Sequence, residues 1–174
     1  MIKYFNIFFV TFFGIGKVKF APGTLASLIT ILLLFYAFQV TNLSNQLILI
    51  ILLFIFFYAF FAVAEYIKNN PDKDPKEVVI DEVIGQSIPI YLYEISHNTE
   101  KNSEEVILIY LYIFILFRYF DIKKPFPVSY FDRKLKNSLG VILDDVAAGL
   151  YVVLTLIIFM IVKSKFFSWT YIKR

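Results

Sequence analysis

Residues 47–64 read LILIILLFIFFYAFFAVA, an uninterrupted stretch without a charged side chain. A run of this length is about what a helix needs to cross the hydrocarbon core of a bilayer. It is apolar on every side, whereas a helix on the surface of a soluble domain keeps a polar stripe. The stretch therefore predicts a membrane span, and the rest of the chain is best interpreted around it.

The composition of the whole chain leads to the same conclusion. Its 174 residues are 59% hydrophobic and 18% charged, against about 45–50% and 25% in soluble domains. This length fits one domain, 1–174. Because lipid-exposed backbone must satisfy its own hydrogen bonds, we expect an all-α, multi-pass bundle with about four to five membrane-embedded helices. The net charge of +3, with no dense Lys/Arg stripe, argues against a nucleic-acid partner.

Further apolar runs lie on both sides of this span. Residues 2–13 are too few to cross and predict an additional interfacial or re-entrant helix at the N-terminus. Residues 25–40 predict a helix that Thr24 is suited to cap. The remaining runs are 83–95, 106–120 and 146–162.

Segment 83–95, which Gly85 and Pro89 interrupt, decides the sidedness. If it crosses, the polar loops 14–24, 65–82 and 118–145 share one face. That face then holds eleven of the seventeen Lys and Arg residues, and the other face holds five. The positive-inside rule places the eleven-charge face in the cytoplasm. If the segment does not cross, loops 65–82 and 118–145 lie on opposite faces.

The residue types that are rare in the chain restrict its chemistry. It has no cysteine and one histidine, His97, which excludes cysteine-ligated zinc and any mechanism with two imidazoles. A Ser-His-Asp triad would need His97, which lies in a polar stretch typical of a loop. The triplet 72–74, Asp-Lys-Asp, lies among Pro and Lys and is interpreted as a solvated loop. Carboxylates, lysines, hydroxyls and a metal ion are left to do the chemistry.

Two adjacent pairs of acids, Asp81-Glu82 and Asp144-Asp145, are enclosed by apolar sequence, and Asp121 follows another apolar run. An ionised carboxylate in apolar surroundings is destabilised by about 2.5–3.5 kcal/mol at a helix centre unless it is paired or binds a cation. Neighbouring helical residues point about 100° apart, so each pair can direct one carboxylate to a shared centre and the other to a lysine or arginine. Hard oxygen ligands without Cys or His suit Mg²⁺.

Candidate phosphate ligands lie in two other stretches. Gly23, Thr24 and Ser27 lie at the start of a predicted helix, where free N–H groups and the helix dipole attract anions. Arg118 and Lys124 lie in the basic stretch that ends with two prolines.

In order and spacing, these stretches resemble the phosphatidylglycerophosphatase A family of integral-membrane lipid phosphatases. The matching residues are Gly14-Ile15-Gly16, Ala21-Pro22-Gly23-Thr24, Ser27, Asp81-Glu82-Val83-Ile84-Gly85-Gln86, Phe117-Arg118-Tyr119-Phe120-Asp121, Lys124-Pro125, Pro127, Gly140-Val141, Asp144-Asp145 and Ala148-Gly149. The chain departs from the family pattern at Ala26 and at Asn137-Ser138, where glycine is usual.

The resemblance implies Mg²⁺-dependent hydrolysis of phosphatidylglycerophosphate, an anionic membrane lipid, to phosphatidylglycerol and phosphate. It also implies a site at the cytoplasmic face of the bacterial cytoplasmic (inner) membrane. The expected ligands of one or two Mg²⁺ ions are Asp81, Glu82, Asp144 and Asp145. Arg118, Lys124 and the helix start at Gly23, Thr24 and Ser27 are expected to bind the phosphate, with Asp121 either a further ligand or the group that orients Lys124. Water and an aspartate both remain open as the nucleophile.

Two other functions compete with this interpretation. A small membrane transporter or channel would also place acids and a broken helix in the bilayer. A CDP-alcohol phosphotransferase would also use metal and carboxylates, but its Asp-Gly-x-x-Ala-Arg signature is absent from the sequence. The sequence gives no indication of the oligomeric state.

Overall fold

The computed structural model describes residues 2–68, 70–96 and 103–172, and the regular elements within these ranges are all helices. His97 lies outside the described residues. The prediction of an all-α fold is therefore confirmed for the described part of the chain. The helices are α1 Ile2–Val10, α2 Pro22–Phe35, α3 Asn45–Ile67, α4 Ile80–Ser96, α5 Ser103–Lys123, α6 Val128–Lys134 and α7 Ser138–Ile172.

Three helical segments of the described chain are long and apolar enough to cross a membrane. They are Pro22–Val40, in which a π-helical turn extends α2, then Asn45–Ile67 and Ser138–Ser164. The stretch 47–64 thus lies within α3, as predicted. The expected total of four to five membrane-embedded helices additionally requires α4 and α5, whose crossing remains a prediction.

The start of α2 differs from the sequence-based expectation. The residue that precedes the helix is Ala21, in the left-handed region with φ of 44°, and Pro22 occupies the first turn. Proline favours this position because its missing N–H would have no helical partner there. The helix begins before Thr24, which lies inside the first turn, so the prediction that Thr24 is the cap was wrong.

A close crossing of α4 and α7 determines where the acids meet. A Cβ atom built on Gly149 would lie 2.4 Å from the carbonyl oxygen of Gly85, and one built on Gly85 would lie 2.6 Å from that of Asp145. Side chains at these two positions would push the helices apart, so glycine allows the two backbones to touch. This contact brings the N-terminal turn of α4 alongside the second turn of α7.

The N-terminal segment packs against α3 and the loop that precedes α4. The hydroxyl of Tyr58 donates to Asn6 Oδ1 at 2.6 Å, and the Val79 N–H donates to the carbonyl oxygen of Val10 at 2.9 Å. At nine residues, α1 is too short to cross a bilayer. These contacts hold the loop that leads into the first acidic pair, while the interfacial placement of α1 remains a prediction.

A buried polar cluster joins α2, α4 and α5 at the other end of α4. Glu94 is 9% exposed, and its Oε1 accepts from Tyr110 Oη at 2.9 Å and from Gln39 Nε2 at 3.2 Å. Gln39 belongs to the π-helical turn that extends α2. The bundle is therefore held by polar contacts at this end and by the glycine crossing near the other.

Candidate active site

One pocket of about 290 Å³ collects residues from all three of the polar loops 14–24, 65–82 and 118–145. This is the grouping expected if segment 83–95 crosses the membrane. The side chains and backbone that line it come from the start of α2, the loop and first turn of α4, the end of α5 and the start of α7. The lining residues are Ala21, Pro22, Gly23, Thr24, Asp74, Pro75, Lys76, Val78, Asp81, Glu82, Arg118, Asp121, Lys124, Asp144 and Asp145.

Three carboxylates form the centre of the pocket. One oxygen from each of Asp81, Glu82 and Asp145 lies within 4.8 Å of the other two. Asp81 is 7% exposed and Asp145 is 3% exposed. Each of the three also has a buried oxygen with no hydrogen-bond partner among the described residues. Converging buried oxygens that lack donors are the arrangement expected of ligands for a hard divalent cation.

The electrostatics of the first acidic pair fit the same conclusion. Asp81 and Glu82 lie outside the three apolar spans. Burial raises the pKa of Glu82 to about 7. Burial also raises the pKa of Asp81 well above its usual range, and the neighbouring charges of Glu82 and Asp145 add to the increase. A cation bound beside these carboxylates would stabilise their charged forms.

The second acidic pair divides its two carboxylates between different partners. Asp145 joins the central cluster, whereas Asp144 Oδ2 accepts from Lys124 Nζ at 2.9 Å. Asp144 Oδ1 accepts from the Asp145 N–H at 3.0 Å. Asp144 is not part of the three-carboxylate group. Asp144 instead holds Lys124 in the pocket. The two neighbouring carboxylates can point to different partners because adjacent helical residues are about 100° apart.

A second positively charged side chain, in addition to Lys124, is held near the end of α5. Arg118 Nη1 pairs with Asp121 Oδ2 at 2.9 Å and donates to Ser27 Oγ at 3.4 Å. Arg118 Nε is buried without a hydrogen-bond partner among the described residues. Asp121 therefore contacts Arg118, and its predicted role as a metal ligand or as the group that orients Lys124 stays a prediction.

The glycine at the start of α2 permits a close approach to the acids. A Cβ atom on Gly23 would lie 1.9 Å from Glu82 Oε1. Gly23 and Thr24 both line the pocket. Ser27 is fully buried, does not belong to the lining and donates from Oγ to the carbonyl oxygen of Gly23 at 2.9 Å. Ser27 thus supports Arg118 and the helix start from behind the pocket.

Sequence reasoning missed three polar residues near the acids. Asp74 and Lys76 line the pocket, although their loop was interpreted as solvated. Its turn is formed locally, since Asp72 Oδ1 accepts from the Asp74 N–H at 3.0 Å. Gln86, one turn after Glu82, is fully buried and neither of its amide atoms has a partner among the described residues. Its position in the motif 81–86 is the feature of the sequence from which Gln86 could have been recognised as a site residue.

Comparison with known proteins identifies the family. The family model described as phosphatidylglycerophosphatase A matches residues 8–160. The chain belongs to the phosphatidylglycerophosphatase A family. Its acidic centre, Arg118 and Lys124 all lie within the matched region, and the resemblance seen in the sequence is confirmed. Membership of this family identifies the chain as a phosphatase, of the lipid phosphatases that act in phospholipid metabolism.

Three relatives have the names of lipid phosphatases, but the names do not all state the same substrate. The phosphatidylglycerophosphatase A of Haemophilus influenzae is 58% identical over 41 residues, 24% of this chain and 25% of that protein. The Escherichia coli K12 protein of the same name is 27% identical over 79% of this chain and 73% of its own length. A Bacteroides thetaiotaomicron protein that carries the provisional name phosphatidylinositol-3-phosphatase is 32% identical over 81% of this chain and 84% of its own. No solved structure matches the chain.

Proposed function

We propose that this protein is a Mg²⁺-dependent phosphatidylglycerophosphatase, which hydrolyses phosphatidylglycerophosphate to phosphatidylglycerol and phosphate. The observation that carries the proposal is the convergence of Asp81, Glu82 and Asp145 in one pocket with Arg118 and Lys124. Family membership supports a phosphatase over the transporter or channel that was the alternative. The pocket combines acidic groups for a cation with basic groups for a phosphate.

The three central carboxylates fit a magnesium site. Their oxygens are hard ligands, they converge within 4.8 Å, and each retains an oxygen without a protein donor. Mg²⁺ bound there would polarise the phosphate and lower the pKa of a water molecule. Asp144, a fourth ligand in the sequence-based expectation, is assigned instead to Lys124, because its Oδ2 is engaged by that ammonium.

Arg118 and Lys124 supply positive charge to the phosphate. Asp121 fixes the guanidinium and Asp144 fixes the ammonium, each at 2.9 Å. Fixed charges lower the barrier because they need no rearrangement as negative charge moves toward the leaving oxygen. The start of α2 at Gly23 and Thr24 adds a helix N-terminus to the same pocket.

Water is the proposed nucleophile. The central carboxylates are assigned to the cation, which leaves a water molecule in the pocket to attack the phosphorus. Rapid acid quenching with ³²P-labelled substrate separates this from a carboxylate nucleophile. An aspartyl-phosphate intermediate would carry the label on the protein and release it to hydroxylamine, whereas direct attack by water would leave the protein unlabelled.

The same pocket supports a proposal for how the chain lies in the membrane. We propose that α4 and α5 cross with the three apolar spans and that the pocket faces the cytoplasm of a bacterial cell. The charge asymmetry supports this orientation, because eleven Lys and Arg residues lie in the loops that meet at the pocket. A lipid phosphate at the membrane surface can then reach the pocket while its acyl chains stay in the bilayer.

The decisive experiment measures phosphate release from phosphatidylglycerophosphate by the detergent-purified chain. We expect release with Mg²⁺, loss of release with EDTA and recovery when Mg²⁺ is added back. Release that survives EDTA would keep the reaction and overturn the metal assignment. No release from a folded sample that binds Mg²⁺ would overturn the proposed reaction.

The name of the Bacteroides relative gives one specific reason to test a second substrate. The same assay with phosphatidylinositol 3-phosphate compares the two lipids directly. We expect kcat/KM to favour phosphatidylglycerophosphate. A reversed preference would move the chain to the other substrate while leaving the phosphatase chemistry unchanged.

A further inference from the structure

An apolar groove of about 350 Å³ lies between α3, α4 and α7. Its walls are aliphatic and aromatic except at Ser87 and Tyr91, and neither residue offers a free polar group to the groove. Ser87 Oγ donates to the carbonyl oxygen of Val83 at 2.6 Å. The hydroxyl of Tyr91 donates to the carbonyl oxygen of Asn45 at 3.3 Å. The groove can therefore accept only an apolar occupant.

On two helices the groove begins at the residue next to a residue of the proposed active site. On α4 the lining begins at Val83, the residue directly after Glu82, and on α7 it consists of Val146, directly after Asp145. Both acids belong to the central cluster. The groove and the polar pocket are therefore adjoining parts of the same two helices.

The length of the groove matches one leaflet of a bilayer. Along α4 it extends from Val83 to Leu92, nine residue steps or about 14 Å at the helical rise. The α3 wall extends from Phe56 to Leu49, toward the other end of the bundle. Half of the hydrocarbon core is about 15 Å thick. An acyl chain whose headgroup lies at the carboxylates would thus lie along the groove for its full depth.

We propose that this groove binds one acyl chain of the phospholipid substrate. The inference rests on the proposed function, since it is the phosphate pocket that fixes the headgroup end of the lipid. An acyl chain bound in the groove places the phosphate ester of the lipid beside Asp81, Glu82 and Asp145. The groove thereby makes the protein selective for lipids over soluble phosphate monoesters.

The first test fills the groove without touching the pocket. Ser87→Phe places a ring at a buried small residue of the groove. Thr155→Phe is the matched control, because Thr155 lies on α7 outside the groove lining and its hydroxyl likewise donates to a carbonyl four residues earlier, that of Tyr151, at 2.8 Å. Both substitutions remove the same kind of hydrogen bond and add the same ring.

The readout is the ratio of kcat/KM for dioleoyl to dihexanoyl phosphatidylglycerophosphate. We expect Ser87→Phe to lower this ratio by at least about tenfold relative to wild type, since even single methylenes are discriminated in apolar pockets. Thr155→Phe should leave the ratio unchanged. An unchanged ratio in Ser87→Phe would overturn the proposal and indicate that bulk lipid fills the groove. Ile88→Trp, also in the groove, replaces Ser87→Phe if that variant does not fold.

The second test uses the wild-type protein and does not depend on turnover. Phosphatidic acid that carries a diazirine midway along one acyl chain is photo-crosslinked in detergent micelles. We expect labelled peptides from 49–56 or 83–92, with labelling suppressed by excess phosphatidic acid but not by phosphatidylcholine. Labelling that neither lipid suppresses would overturn the acyl-chain assignment. Suppressible labelling in a protein that hydrolyses no phosphatidylglycerophosphate would contradict the proposed function alone.

Discussion

At the scale of single residues, Asp144 and Asp145 show how neighbours in sequence take different tasks. Asp145 contributes to the three-carboxylate cluster, while Asp144 holds Lys124 Nζ at 2.9 Å. Both acids are buried, so each requires a compensating positive charge. In the proposed site that charge is a cation for Asp145 and a lysine for Asp144.

Asp145→Asn tests the central role of Asp145. The amide keeps the size of the side chain and removes its charge. We expect kcat to fall by about 10²–10³-fold or more, as when one preorganised electrostatic contact is lost from a site, together with weaker Mg²⁺ binding by titration calorimetry. Detergent-purified protein should elute normally on gel filtration. Full activity in a folded Asp145→Asn sample would remove Asp145 from the site.

Asp144→Asn tests the supporting role of Asp144. Loss of a group that only orients another lowers activity by about 10–100-fold, and Mg²⁺ affinity should change little. A double-mutant cycle with Lys124→Met measures the coupling, and we expect the two losses not to add. If Asp144→Asn abolishes Mg²⁺ binding as Asp145→Asn does, Asp144 is a ligand after all.

At the scale of elements, the crossing of α4 and α7 positions the site more than any loop does. Gly85 and Gly149 let the two backbones touch, and the central acids lie within four residues of one or the other. The acids are thereby carried on rigid helices, which hold a constellation of ligands more accurately than loops can.

Gly149→Ala tests this crossing. The added Cβ would lie 2.4 Å from a backbone oxygen of α4, so the helices must separate. Overpacking of this kind destabilises a protein by about 1–3 kcal/mol. We expect a lower midpoint of thermal unfolding in detergent and reduced kcat. Leu150→Ala, at an exposed neighbour, should leave both unchanged, and a Gly149→Ala variant with wild-type stability and rate would contradict the argument.

At the scale of the whole molecule, the distribution of basic residues supports the proposed sidedness. The loops that meet at the pocket carry most of the basic residues. The absence of cysteine from the sequence makes this orientation simple to measure, because any introduced thiol is unique.

Lys68→Cys and Ser164→Cys test the orientation in cells. Position 68 lies on the pocket side after α3, and position 164 ends the apolar part of α7. A membrane-impermeant maleimide applied to spheroplasts should label Ser164→Cys and spare Lys68→Cys. Both should react after permeabilisation. The opposite pattern of labelling would place the pocket outside the cytoplasm.

The features that could be predicted from sequence are those that depend on local order along the chain. The apolar run 47–64 lies within α3, and the acids, Arg118 and Lys124 all line the pocket. Pairings between elements could not be predicted. Asp144 of α7 pairs with Lys124 after α5, and this contact depends on the phase and depth of one helix against another, which close contacts such as that of Gly85 with Gly149 determine. The pair of Arg118 and Asp121 lies within α5, at a spacing of three residues that the sequence could have indicated. The position of Asp74 in the pocket was missed because it too depends on contacts between elements that are distant along the chain.

The order of the pocket residues along the chain bears on biosynthesis. The pocket begins at Ala21 and its last member is Asp145, so α2 to α6 and the start of α7 must all be made before the set is complete. A ribosome-bound chain that stops short of α7 carries Arg118 and Lys124 but lacks Asp145. In the proposed site, such a nascent chain lacks one of the three central carboxylates, and phosphatase activity would therefore report that α7 has been inserted.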